Sequence, residues 1–218
     1  MPNSTSAASM VVEWTSSNQD LGKTDYYLLN KRIAILCILL QSAGHLYFMT
    51  LPTCQGYIHW SRTQFALIYN IPPFADSQRD PCSLYSMLRP NKRSIRTEKG
   101  RQLRPSLEQR YALAAAFAKG VLSLLSPGRV HKALNNRNVM FFYETDSIEA
   151  VDFHRPRFLD FGAARREQPS ERTIDVRSLE PPLRLRQHPE LRQGTHRRFE
   201  RRYDIYSAGI ILFEIGMW

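Results

Sequence analysis

His131-Lys132-Ala133-Leu134-Asn135-Asn136-Arg137-Asn138-Val139-Met140 is the segment around which the rest of the chain can be placed. It sets a histidine three positions before a leucine and an asparagine four beyond that, H-x-x-L-x-x-x-N, running into an apolar segment. Twenty residues after Asn138 comes Phe158-Leu159-Asp160-Phe161-Gly162. Farther on stand His188-Pro189-Glu190 and then Tyr203-Asp204-Ile205-Tyr206-Ser207-Ala208-Gly209, which opens an apolar helix. Each fragment alone is weak. Together, in this order and at this spacing, they are hard to obtain by chance.

Upstream of this stretch, Ser106 with Gln109 forms a capping box for a long Ala- and Leu-rich helix ending near Leu125, and Pro127-Gly128 closes it. Residues 91–104 are basic and turn-rich and read as an exposed connection. Nearer the start, Met10 to Thr15 is a strand candidate. Asp25 caps a helix to about Ala43 with Tyr27, Leu28, Ile33, Ile35, Leu36, Leu39 and Leu40 on its apolar face. Two strands are expected within 46–60 and 63–71. Downstream, Val139 to Tyr143 and Ala150 to Phe153 read as a strand pair. Residues 163–202 read as a long Arg-rich loop, and Ile205 to Trp218 as a helix buried nearly all round.

The 218 residues are 43% hydrophobic, enough for one sizeable core or two small lobes, and carry a net charge of +10. Basic charge concentrates between Arg155 and Arg202, where 13 Arg face 7 acidic residues and no Lys. Acidic or phosphorylated protein surfaces are the partners such a segment suits. Aromatics are not interleaved with these arginines, which argues against nucleic acid, retained only as a third reading. Cys37, Cys54 and Cys82 are far apart, with no paired spacing that points to zinc or a disulfide framework; reduced thiols of an intracellular, cytoplasmic protein are expected. The longest apolar run, Ile33 to Leu40, is far short of the ~20 residues that span a bilayer.

The four motifs together resemble a protein kinase domain, and the element order along the chain is similar to that of such a domain. The resemblance implies a two-lobed α+β fold: residues 1–9 a disordered start, 10–71 a partial N-lobe and 72–218 a partial C-lobe, truncated at both ends. Val12-Glu13-Trp14, the 131–142 stretch and the Asp204-to-Trp218 ending further resemble the kinase-like domains of filamentous fungi, often joined to prion-inhibition-and-propagation (HET-s/LopB-like) regions.

The resemblance also assigns expected roles. Asn138 and Asp160 match the two residues that hold Mg²⁺ beside ATP, and Tyr69 resembles the residue at the back of the nucleotide cleft, with Asn70 and Ile71 as hinge. His131 and Phe161 match stacking positions of the hydrophobic spine. Gly162 and Glu190 match structural positions, and Asp204 matches the aspartate that hydrogen-bonds the catalytic-loop backbone. Several working parts depart from the pattern. Ala133 replaces the aspartate that accepts the substrate hydroxyl's proton, a loss worth on the order of 10²–10⁴ in rate; Lys132 precedes it, and Asn135 stands two residues later where the pattern carries a lysine. The ten glycines include no G-x-G. By the V-A-I-K pattern the phosphate-holding lysine falls at about Thr15, and the 25–43 helix contains no Glu to pair with it. No catalytic residue is intact. The expectation is a pseudokinase acting as a binding or regulatory module, with no cofactor or weak Mg-ATP; the alternative is an active Ser/Thr-type kinase resting on Asn138 and Asp160.

Overall fold

The computed structural model describes residues 10–16, 23–43, 50–89, 105–144, 151–166, 186–192 and 199–218. In chain order its elements are β1 (Met10–Ser16), α1 (Lys23–Ala43), β2 (Cys54–His59), β3 (Gln64–Asn70), β4 (Cys82–Ser83), α2 (Leu84–Leu88) and α3 (Leu107–Leu125). There follow β5 (Arg129–Val130), β6 (Val139–Phe141), β7 (Arg157–Phe158), a 3₁₀ turn at Phe161–Ala163, β8 (Arg165–Arg166), α4 (Pro189–Arg192) and α5 (Arg201–Gly216). Three antiparallel sheets result, in the orders β1-β3-β2, β4-β6-β7 and β5-β8. The class is mixed α+β.

Strand β1 alternates as a half-buried strand must. Met10, Val12 and Trp14 point outward and are exposed, whereas Thr15 is buried and Val11 packs against the core. Helix α1 covers β2 with Leu29, Ile33, Leu36, Cys37 and Leu40, a stripe at helical spacing. Tyr27 and Leu28 lie off that stripe and are exposed, contrary to the apolar face read from sequence.

Helix α3 begins at Ser106, whose hydroxyl accepts from Gln109 N at 3.2 Å while Gln109 Oε1 accepts from Ser106 N at 2.8 Å. This reciprocal cap satisfies two of the N–H groups that a helix start leaves without partners. Leu113, Phe117, Val121 and Leu124 turn inward, and α3 packs on α5. At Gly120 a Cβ would lie 2.4 Å from Thr50 Oγ1, so only glycine lets the chain at Thr50 come close enough for Thr50 O to accept from Phe158 N.

Two expectations change. The strand pair read at 139–143 and 150–153 reduces to a single bridge between Tyr143 and Val151. β6 is a buried central strand, with Val139 and Phe141 fully enclosed, and its ladder partners are β4 and β7. Helix α5 is not buried all round. Ile211 and Ile215 face the core, but Phe213 is 66% exposed and Ile205 and Met217 are also open, because α3 covers one side only. The basic connection at 91–104 lies outside the described residues, as does most of the expected 163–202 loop. Among the described residues no helix is long and apolar enough to cross a membrane.

Candidate functional site

Residues 131–138 connect β5 to β6 and return beside the Asp160 turn. Two non-glycine residues among those described have a left-handed backbone, Lys132 (φ 69°) and Asp160 (φ 71°), and both belong to this site. Such a conformation costs about 1–2 kcal/mol and persists only where the surroundings impose it. At Lys132 the imposing group is Asp204, on the first turn of α5. Its Oδ2 accepts from His131 N at 2.6 Å and its Oδ1 from Lys132 N at 3.1 Å. His131 is fully buried, its ring tilted 4.7 Å from that of Phe161, and its Nε2 donates to Leu159 O at 3.1 Å. The histidine thus ties the loop to the Asp160 turn.

Ala133 offers no side-chain acceptor, and its carbonyl takes both nearby amides, Asn135 Nδ2 at 2.6 Å and Asn138 Nδ2 at 2.5 Å. Asn135 Oδ1 caps Arg137 N at 2.8 Å, so the side chain standing in place of the pattern's lysine is spent on its own loop. Asn138 Nδ2 also donates to Asp160 Oδ2 at 3.0 Å. Asn136 joins the loop to α5 by donating to Glu214 Oε2, while Arg186 Nε donates to Oε1 of the same carboxylate.

The residue that sequence reasoning missed is Glu13. Its Oε2 accepts from Asp160 N at 2.6 Å and Tyr69 OH at 3.1 Å, and its Oε1 accepts from Gly162 N at 3.2 Å. The residue keeps some surface, yet its carboxyl is enclosed enough for desolvation to dominate. Burial, with the Asp160 charge beside it, pushes its pKa up to about 7 against the lowering effect of the hydrogen bonds. Thr15, the position at which the lysine is expected, is buried. Glu13 and Thr15 point the same way from β1, but Glu13 faces Asp160, whereas Thr15 packs on Gly162. A Cβ at Gly162 would lie 2.2 Å from Thr15 Oγ1, so this packing requires glycine. The signal that could have found Glu13 is Met10-Val11-Val12-Glu13, three apolar residues and then a polar one, as in V-A-I-K.

The remaining nominated residues divide. Tyr69 is buried, with its hydroxyl committed to Glu13. Asn70 is exposed, and its Oδ1 accepts from Gln55 Nε2 at 2.6 Å; Ile71, just past β3, is half-buried. Glu190 Oε2 accepts from Tyr203 OH at 2.9 Å and Arg202 Nη2 at 3.0 Å, which anchors α4 to α5 away from the cleft. The structure therefore gathers Glu13, Tyr69, His131, Ala133, Asn138, Asp160, Phe161 and Gly162 into one place, with Asp204 beneath. Two carboxylates meet there; of the described lysines, Lys23 and Lys31 are exposed on α1, Lys119 is exposed on α3, and the Lys132 ammonium lies 5.9 Å from the Phe199 ring centre.

Neither a protein-family model nor a curated protein matches the chain. Among solved structures it is similar to a chain of the yeast RNA Pol II CTD kinase CTDK-1 complex, with a TM-score of 0.56 and 17% identity over 94% of this chain. The likeness covers 54% of that chain, so the protein spans about half its length. At this identity the likeness carries the fold alone, which is kinase-like.

Proposed function

We propose that this kinase-like domain is a pseudokinase, a binding or regulatory module that does not transfer phosphate. The observation that carries the reading is Glu13. A triphosphate needs cations and backbone N–H donors where its charge collects. Here the strand presents a carboxylate to that place, and the carboxylate already occupies the N–H groups of Asp160 and Gly162. A phosphate entering would displace Glu13 and then face two carboxylates.

The residues fit a Mg²⁺ site poorly. Asn138 turns its amide N–H toward Asp160, and no group of three His, Cys, Asp or Glu among the described residues could hold a metal. Two hard oxygen ligands without a triphosphate are few for this ion. No step through Mg-ATP follows from this site. The second reading, an active Ser/Thr-type kinase, draws on one observation, the adjacency of Asn138 and Asp160. It leaves Ala133 without a replacement base.

The finer expectations belong to the same proposal: a two-part domain dividing near residue 71, kinship with the fungal kinase-like domains, an intracellular site of action, and acidic or phosphorylated partners for the Arg155–Arg202 segment. Of its arginines, Arg155 pairs with Asp152, Arg186 with Glu214, and Arg202 with Glu190 and Glu200. Arg172, Arg177, Arg184, Arg197 and Arg198 lie outside the described residues.

Thermal unfolding with and without nucleotide tests the reading. A ligand at a hundredfold its Kd adds about 2.7 kcal/mol of stability, roughly 5–10 °C in Tm for a domain of this size. Millimolar Mg-ATP is expected to leave Tm unchanged. A shift of that size, abolished by Asp160→Ala, would overturn the argument that Glu13 keeps a triphosphate out of this site.

A further inference from the structure

Two buried thiols meet where the sequence offers no paired spacing. Cys37 lies on the inward stripe of α1, and Cys54 opens β2, 17 positions later. Their Sγ atoms are 3.3 Å apart, and the residues are 5% and 2% exposed. Both are free thiols, as is Cys82 on β4. We infer that Cys37 and Cys54 form an oxidation site, at which an intramolecular disulfide ties α1 to β2.

The two sulfurs have only a short distance to close. A disulfide bond is about 2.05 Å long, so the sulfurs must approach by roughly 1.2 Å. Cys54 sits where β2 is irregular: it pairs with Tyr69, and the register shifts between Cys54 and Gly56. A bulged strand end yields to such a shift with less loss of ladder hydrogen bonds than a regular strand interior. What is given up is the weak contact from Cys54 Sγ to Gly56 O at 3.3 Å.

Hydrogen peroxide is a sufficient oxidant. One sulfur, as thiolate, attacks the O–O bond and becomes a sulfenic acid while the departing hydroxide takes a proton. The second sulfur then attacks the first, the S–S bond forms, and the sulfenic oxygen leaves as water. Two thiols lose two electrons and two protons, and the peroxide is reduced to two waters. The reaction is slow in the native state, because both sulfurs are enclosed and burial raises the Cys54 thiol to about 12, leaving little thiolate. Once formed, the bond closes a short loop and removes entropy from the unfolded chain. It also braces the strand pair that holds Tyr69, and through Tyr69 the Glu13 carboxylate.

The test uses the full chain with Cys82→Ser, which leaves these two sulfurs. After native-state treatment with hydrogen peroxide, the thiols are counted in denaturant and a non-reducing digest is mapped by mass spectrometry. The expected result is loss of both thiols, a peptide linking Cys37 to Cys54, and a Tm raised on the order of 5–10 °C, reversed by dithiothreitol. Two thiols still titratable, over-oxidised sulfinic acids, or disulfides between molecules would overturn the inference. If the variant does not fold, peptide mapping of the oxidised wild type decides: a Cys37–Cys54 link supports the site, and any link through Cys82 removes it.

Discussion

Replacing Ala133 by aspartate is expected to leave the protein without phosphotransfer activity. The substitution restores the one acceptor whose loss costs on the order of 10²–10⁴ in rate, or about 3–5 kcal/mol of barrier. That gain is realised only if a γ-phosphate is already held in line with the incoming hydroxyl, because positioning and base catalysis multiply. Here the holding parts point the other way. The Glu13 carboxylate fills the donors at Asp160 and Gly162, and Asn135, where a lysine is expected, is folded onto Ala133 O. Radiolabelled γ-phosphate transfer to a generic protein acceptor should stay at the level of Asp160→Ala in both wild type and Ala133→Asp. Activity in Ala133→Asp at a hundredfold the blank would mean that the cleft positions ATP despite Glu13. Activity in the wild type would remove the pseudokinase reading altogether.

Asp204→Ala is expected to cost about 3–4 kcal/mol of folding stability, a large loss for one side chain. The carboxylate is 1% exposed and accepts two backbone N–H groups, those of His131 and Lys132, at the point where the chain takes its left-handed turn. Alanine leaves the buried His131 N–H and the half-buried Lys132 N–H without this acceptor and withdraws what holds the strained residue in place. His131 stacks on Phe161, so the loss spreads to the Asp160 turn. Urea denaturation measures it, with Asp204→Asn as the comparison, since the amide keeps one acceptor and should lose about half as much. A loss under about 1 kcal/mol in the alanine variant would mean that the loop is held from elsewhere.

The parts of this fold that were legible in sequence are those whose cause is local. The Ser106–Gln109 box starts α3 within four residues, and Ile33, Leu36 and Leu40 of the apolar face expected for α1 do turn inward, although Tyr27 and Leu28 do not. The motif loops are legible for a related reason, since a histidine, an asparagine and an Asp-Phe-Gly turn keep fixed spacing. What stayed hidden depends on distant partners. Glu13 meets Asp160 across 147 positions, and a search for a lysine passes over a glutamate. Cys37 and Cys54 share no motif, only a packing between helix and strand. The exposed side of α5 could not be told from its buried side, because Ile205, Ile211, Phe213 and Ile215 read alike until α3 covers one face.

Everything proposed for the cleft rests on a carboxyl group enclosed there, and the pH dependence of stability measures that enclosure. Glu13 titrates near 4.5 when solvated and near 7 in the folded protein. The folded state therefore binds its proton more tightly than the unfolded chain does. Glu13's contribution is fully present below pH 4.5 and is lost as pH rises through 7. Discounted for the surface that Glu13 keeps, the difference is about 2–3 kcal/mol. Glu13→Gln cannot titrate, so subtracting its urea-denaturation profile from that of the wild type cancels the other groups. Wild type is expected to lose about 2–3 kcal/mol relative to Glu13→Gln between pH 5 and pH 8. Parallel profiles would place the Glu13 carboxylate in water, and a wild type that gains on the variant as pH rises would mean that the fold stabilises its charge; either contradicts the enclosed carboxyl.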